Sequence, residues 1–388
     1  MSGILIHDGR RPGHRKWVLE AISRGDADGA FINPFATPRV SKPRHPSASE
    51  FAQDVFEAGG EVLFDPMTHV AFLPSTNRID LYSDWRLFGT PNPSLEDKSE
   101  VMEHVERVFK VQDKLRVPHL APSVKLTSPL LSDADLAIEM AEIASSIDPG
   151  SYQSLVGDRS FWSAGSDLDA YIGKLSSLHS PTWVVTVTNE IVPSNALDLT
   201  NIDAFSGLLR SVHSLSLRSR VIVAFSDFAG LLSVAAGADT VGSGWDRGQR
   251  VFDPLSFREA SDNGIRIPAS YVTQGALKAV LRRDTADAIE RWDPTEAARM
   301  RGGPMPKSDQ AERMHHLAQL RLSVLDVDKH GSNRERRVAS LRSSYQSAAD
   351  DFDILSTNLP GSLSSGSKDT WVGNAQRVLE SYAASEGF

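Results

Sequence analysis

Short apolar runs rich in β-branched residues alternate with amphipathic stretches of helical length along the first 250 residues of the chain. The runs fall at 4–6, 29–32, 61–64, 119–124, 154–157, 182–187, 221–225 and 240–241. Most are apolar throughout rather than alternating, the mark of a strand covered on both faces of a parallel sheet. Helices are expected between them, over 15–23, 49–58, 94–115, 133–146, 168–178, 202–217 and 231–236. Ser47 or Ser49 can cap the second of these, and Gly59-Gly60 stops it. In the third, Val101, Val105, Val108 and Val111 recur near the helical period. An insertion rich in Pro, Asn and aromatics occupies 74–93.

Eight strand–helix repeats over some 250 residues predict an α/β chain folded as a (β/α)8 TIM barrel. A doubly wound open sheet is the second choice. Its first turn often carries a glycine fingerprint, which the turn His7-Asp8-Gly9-Arg10-Arg11-Pro12-Gly13 lacks. Beyond the barrel, helices are expected over 273–281, 294–300, 308–324, 334–351 and 370–384, with 359–368 a flexible loop. The division is therefore a barrel over 1–250 and an α-helical C-terminal appendage over 251–388. The appendage would cap the barrel, self-associate or bind a protein partner.

Composition narrows the function. Of 388 residues, 40% are hydrophobic and 23% charged, an ordinary globular balance. A net charge of −9 argues against a protein that coats nucleic acid. The absence of cysteine excludes disulfides, thiol catalysis and Cys-ligated metals. No apolar run has the length of a membrane span, and the N-terminus places its apolar stretch before its positive charge, the reverse of a secretory signal. A soluble cytoplasmic protein is expected.

In a barrel, chemistry sits at the C-terminal ends of the strands. Those ends carry His7, Asp8, Asn33, Asp65, Asp158, Asn189, Glu190 and Asp227, with Trp245, Asp246 and Arg247 after the last. Two carboxylates across such a mouth can divide acid and base roles. Asp65 is the expected general acid or base, and Asp227 or Glu190 the second carboxylate. Asn33 and Asn189 would orient substrate, with His7, Asp8 and His69 around it, and Trp245 would stack on a ring. The glycine-rich segment 242–250 lies where barrels often bind phosphate, so Arg247 or Arg250 would hold an anionic group. Helix capping is the competing explanation for each Asp and Asn. His7, His69, Asp65 and Asp227 include metal-ligating types, but their spacing demands no metal, and no cofactor is indicated. His315 and His316 are neighbours on a helix and share no face, so a solvated face is expected there. The same holds for Arg334, Arg336, Arg337 and Arg342.

Asn189-Glu190 after a strand is similar to the Asn-Glu pair of retaining barrel glycosidases, although theirs follows the fourth strand and this one the sixth. The order of elements resembles the tRNA-guanine transglycosylase superfamily. The resemblance rests on Ile32-Asn33-Pro34, on Leu63-Phe64-Asp65, and on the stretch from Phe228-Ala229-Gly230 through Ala236-Gly237-Ala238-Asp239 to Val241. It implies that Asp65 is the acid or base. Where that family has its nucleophilic Asp, this chain has Gly242-Ser243. It also lacks the family's zinc cysteines, and Thr188-Asn189-Glu190 replaces its base-recognising glycines. Another carboxylate such as Asp227 or Asp246 then replaces the nucleophile, or catalysis is gone. The expectation is an enzyme acting on a glycoside, nucleoside or nucleotide-like substrate by glycosyl transfer or hydrolysis. The alternative is a non-catalytic binding or assembly subunit working through its C-terminal helices.

Overall fold

The computed structural model describes residues 2–43, 45–89, 95–189, 196–259 and 270–388. Eight parallel strands form one sheet: β1 (Gly3–Ile6), β2 (Gly29–Ile32), β3 (Glu61–Phe64), β4 (Lys125–Leu126), β5 (Gln153–Gly157), β6 (Thr182–Val187), β7 (Arg220–Ala224) and β8 (Thr240–Ser243). Their order is β3-β2-β1-β8-β7-β6-β5-β4. Leu5 pairs with Gly242 across β1 and β8, which joins the first strand to the last. The apolar runs account for this, because strands buried along their whole length need helices on either side.

The sheet is open, and the expected closed barrel is not formed. Strands β3 and β4 are its two ends and do not pair. The physical reason lies in β4, which has only two residues, and in the chain before it, where Leu120 meets Tyr152 through a single isolated bridge. Between Phe64 at the end of β3 and Leu120, a side chain does what a ladder would have done. The Gln112 amide donates to the carbonyls of Phe64 (3.1 Å) and Leu120 (3.0 Å), and its Oε1 accepts from the Leu120 N–H (3.2 Å). Gln112 is fully buried on the helix Lys98–Leu115, whose apolar face carries Val101, Val105 and Val108.

The stretch 273–281, expected to be helical, is instead a hairpin of β9 (Tyr271–Gln274) and β10 (Ala279–Arg282). The run Tyr-Val-Thr suits a pleated surface, and the loop from Gly275 to Lys278 turns it back. Helices Arg283–Trp292, Pro294–Arg301, Asp309–Asp328, Arg334–Asn358 and Asn374–Glu386 complete the C-terminal third. These elements belong to the same hydrophobic core as the sheet, which runs from Ile4 to Ala383 without a break between regions. Asp309–Asp328 packs on β1, β9 and the helix Gly230–Ala236, while Asn374–Glu386 packs on Ile202–Ser216. Arg334 and Arg337, expected on a solvated face, tie their helix to the carbonyls of Ala236 and Val234. Among the described residues no helix is long and apolar enough to cross a membrane.

Candidate functional site

The carboxyl ends of β1, β2, β3, β7 and β8 surround a cavity of about 260 Å³. Its wall includes Asp8, Arg10, Asn33, Met67, Arg78 and Gln249. Each comes from a segment that leaves a strand, so the parallel sheet fixes their common side.

His7 follows β1 and packs against Phe225 of the cavity wall. Its ring is stacked between Phe31 (4.6 Å between centroids) and Phe225 (3.7 Å). Its Nε2 accepts the Phe225 N–H at 2.9 Å and is therefore unprotonated. Burial holds its pKa down to about 3, so the ring is a neutral packing element at any physiological pH. A Cβ at residue 242 would lie 2.3 Å from this nitrogen, so only glycine fits opposite it in β8. Phe225 reaches His7 from a left-handed backbone (φ 50°), and Asp227 two residues later is left-handed as well (φ 47°). A strained turn of this kind persists only when its surroundings over-determine it.

Asp8 is the next residue. Its carboxylate accepts from the Gly9 N–H (2.8 Å) and the Asn33 N–H (3.1 Å). Burial raises its pKa to about 7, although those bonds, the Thr37 hydroxyl and Arg10 all pull it down. His14 Nε2 lies 3.5 Å from Asp8 Oδ1. On the other side of the ring, Nδ1 accepts the indole N–H of Trp245 at 2.8 Å. The Nε2 atom therefore carries the proton, and burial keeps His14 neutral with a pKa of about 4.

Asn33 uses its side chain to cap the following turn, accepting from Phe35 and Ala36 N–H groups at 3.0 Å. Asp65 accepts from the Met67 N–H at 2.8 Å, and burial raises its pKa to about 6. Both Asp8 and Asp65 thus hold protons close to neutrality. The cavity wall also carries two arginines, Arg10 and Arg78, against the carboxyls of Asp8 and Asp246. Arg10 is paired with Asp80 at 2.8 Å, whereas Arg78 makes no ion pair among the described residues. Arg10 donates to the Phe35 carbonyl at 2.7 Å, which fixes its guanidinium at the rim.

The remaining expected residues lie elsewhere. Asp227 is buried on the side facing the C-terminal third. Its Oδ1 accepts from Ser243 Oγ and His316 Nε2, each at 3.0 Å, and its Oδ2 is buried without a partner. Burial favours its neutral form, but His316, Arg250 and Ser243 together outweigh that and hold its pKa below the usual carboxylate range. His69 is buried against Phe252 and kept neutral, with a pKa of about 3. Asn189 is completely buried, and neither side-chain atom has a hydrogen-bond partner among the described residues. Glu190 lies outside the described residues. Trp245 is buried against Trp17, and Arg250 donates to the carbonyls of Gly244 and Trp245. Arg247 pairs with Asp253. Trp245, Arg247 and Arg250 line a second cavity of about 610 Å³, which shares Asp246 with the first. Of the expected residues, Asp8 and Asn33 line the first cavity and Trp245, Arg247 and Arg250 the second, while His7, Asp65, His69, Asn189 and Asp227 line neither. Among the described residues no three His, Asp or Glu side chains group as a metal requires, so His7, His69, Asp65 and Asp227 are not a ligand set.

His316 is a buried residue that sequence reasoning misplaced. It is 1% exposed rather than solvated, and Thr273 Oγ1 lies 2.8 Å from its Nδ1. The signal was present in the spacing: Glu312, His316, Gln319 and Ser323 form a polar stripe at helical period, and all four are buried. Arg78 gave no signal, since the insertion that carries it has no periodicity.

No protein-family model matches the chain, and no curated protein sequence matches it. Among solved structures it is similar to a probable tagatose 6 phosphate kinase from Sinorhizobium meliloti 1021, at 13% identity over 98% of this chain and 99% of that one, with a TM-score of 0.33. A likeness at that level carries no argument about fold or activity.

Proposed function

We propose that the chain is an enzyme acting on a glycoside, nucleoside or nucleotide-like substrate by carboxylate acid–base chemistry in the 260 Å³ cavity. One observation carries the reading: Asp8, with a pKa near 7, stands in the wall of a cavity that also presents the guanidinium of Arg78, which forms no ion pair among the described residues. A carboxyl near 7 is half protonated at neutral pH and can both give and take a proton. In its acid form Asp8 donates to the departing oxygen or ring nitrogen as the glycosidic bond weakens. The carboxylate left behind then takes a proton from the incoming hydroxyl. Asp65, near 6, is the second such group. Arg78, with Arg10 beside it, holds the anionic part of the substrate. Asp227 stays ionised and contributes charge rather than a proton. The reading places the protein in the cytoplasm, where such substrates are found.

The second reading, a binding or assembly subunit working through its C-terminal helices, is favoured by the His7 stack, which fills the space between Phe31 and Phe225. The two part on Asp8→Asn and Asp65→Asn, assayed for release of free base or reducing sugar from a panel of nucleosides, nucleotides and aryl glycosides. The enzyme reading expects turnover by the parent protein and a loss of at least about 100-fold in Asp8→Asn, the lower range of general acid–base catalysis. It also expects Arg78→Ala to raise KM for phosphorylated substrates alone. Absence of turnover across the panel, with full biological activity in both carboxylate variants, sinks it.

A further inference from the structure

A groove of about 670 Å³ runs between the hairpin turn after β9 and the helices Pro294–Arg301, Asp309–Asp328 and Arg334–Asn358. It shares no residue with the Asp8 cavity. Five cationic or imidazole side chains line it (Lys278, Arg299, Lys329, His330 and Arg336) against two carboxylates, Asp326 and Asp351. Two of the cations are already neutralised: Lys329 by Asp326 and Arg299 by Asp351, each at 2.6 Å. The other three are not. Lys278 Nζ donates only to the hydroxyl of Ser323 at 3.2 Å and forms no ion pair among the described residues. His330 Nε2 is buried without a hydrogen-bond partner among the described residues. Arg336 forms no ion pair among the described residues.

Lys278 is also conformationally expensive. It occupies a left-handed position, φ 52°, at the end of the hairpin loop, where glycine would sit without strain. The loop is held there by Gly275 and Ala276, whose N–H groups donate to the carbonyls of Arg301 and Met300. Its stem crosses from the groove toward Ser226 and Asp227, since Lys278 also borders the small cavity beside those residues. Opposite it, between Ala339 and Asp351 of the same helix, Ser340, Ser343, Ser344 and Ser347 repeat at helical spacing below Arg336; Ser347 already donates to the Ser343 carbonyl, and the row adds hydroxyls to the groove wall. A half-buried ammonium, an unpartnered imidazole nitrogen, a free guanidinium and a row of hydroxyls are the donors that recognise a phosphoryl oxyanion.

We propose that this groove binds the phosphate group of a small phosphorylated ligand, with Lys278, His330 and Arg336 as the donors that contact it. The site lies in the C-terminal third and is independent of the reaction proposed at Asp8. The fit is to a compact phosphate, because the two neutralising carboxylates flank the cations and would repel a long polyanion.

The test is calorimetric titration of the full chain with inorganic phosphate, adenosine 5′-monophosphate and a single-stranded oligonucleotide without terminal phosphate, all at one ionic strength. Phosphate and the mononucleotide are expected to bind in competition. Lys278→Gly relieves the backbone strain, so it should unfold at the same temperature as the parent or higher, yet bind at least about tenfold more weakly. The titrations are made in the Arg78→Ala background, which removes the anion-holding group of the Asp8 cavity, and there Arg336→Ala should also weaken binding. Three outcomes overturn the proposal: absence of binding heat with phosphate in Arg78→Ala, binding that survives when K278G/R336A is added to that background, or binding confined to the oligonucleotide.

Discussion

The indole N–H of Trp245 donates to Nδ1 of His14 at 2.8 Å, and that bond decides which nitrogen of the imidazole turns its proton toward Asp8. A tryptophan after the last strand of the sheet thus sets which form of the imidazole faces a carboxyl after the first, 3.5 Å away. Trp245→Phe keeps the ring and removes the donor, freeing His14 to change tautomer. The change is expected to cost about 1 kcal/mol in stability and to shift the acidic limb of any pH–rate profile governed by Asp8. Denaturant unfolding and kinetics across pH 5–9 read the two effects separately. A profile identical to the parent's would show that His14 does not influence Asp8.

Stability should respond to pH in two directions. His7, His14, His69 and His104, with pKa values of about 3, 4, 3 and 4, are neutral in the fold and take up protons on unfolding. Their contribution is present above pH 6.5 and is lost as pH falls below that value. Asp8 and Asp65 act oppositely. The fold keeps their protons up to about 7 and 6, so their contribution is present at acid pH and lost as pH rises from about 4 to 7. Four histidines outweigh two carboxyls, so stability should rise from pH 4 to about 6.5 and flatten or dip above it. Urea midpoints at half-unit steps of pH check this, and a maximum below pH 5 would contradict it.

Asp8→Asn supplies the matching single-site measurement. It removes a carboxylate that the fold must ionise at cost, so at pH 8.5 the variant should be more stable than the parent by up to about 3–4 kcal/mol. At pH 4 the two should be nearly equal. Loss of activity together with gain of stability is the expected signature of a group held for chemistry.

Gln112→Leu tests the open side of the sheet. The substitution fills similar volume but strands three backbone groups that the amide now satisfies. A loss of about 2–4 kcal/mol is expected, with faster hydrogen exchange at the Leu120 amide ahead of the other strands. Equal exchange at Leu120 in both proteins would mean that another group satisfies that amide.

Asp227→Ala removes the acceptor shared by His316 and Ser243. It should destabilise the chain by about 3–5 kcal/mol, because Arg250 and the polar groups left behind stay buried. Asp227→Asn should cost less, since it keeps one acceptor oxygen.

The strands were legible because continuous burial leaves an apolar run in the sequence. Strands β1, β2, β3, β5, β6, β7 and β8 sit where such runs predict them, whereas the fourth, expected at 119–124, lies at Lys125–Leu126. Closure was not legible. It depends on pairing between β3 and β4, and the part of Lys125–Leu126 in a ladder is not written in any local pattern. The hairpin at Tyr271 was misread because a few β-branched residues before a glycine are too short to oppose a helical background. At the candidate site, Asp8, Asn33 and Asp65 could be found from their place after strands. Which of them holds a proton depends on the depth of burial, which no spacing conveys. His316 was missed for a related reason: an apolar stripe announces a buried helix face, and this face is built from a glutamate, a histidine, a glutamine and a serine.

The bond between Asp227 and His316 joins groups 89 residues apart, and Ser2 at the other extreme holds Asp328. A chain emerging from the ribosome would carry the Asp227 turn long before its imidazole partner exists. The first strand would wait for both the eighth and the helix beyond it. Assembly therefore cannot proceed from one terminus to the other, and the early segments should remain unsettled, open to chaperone or protease, until the last third has been synthesised.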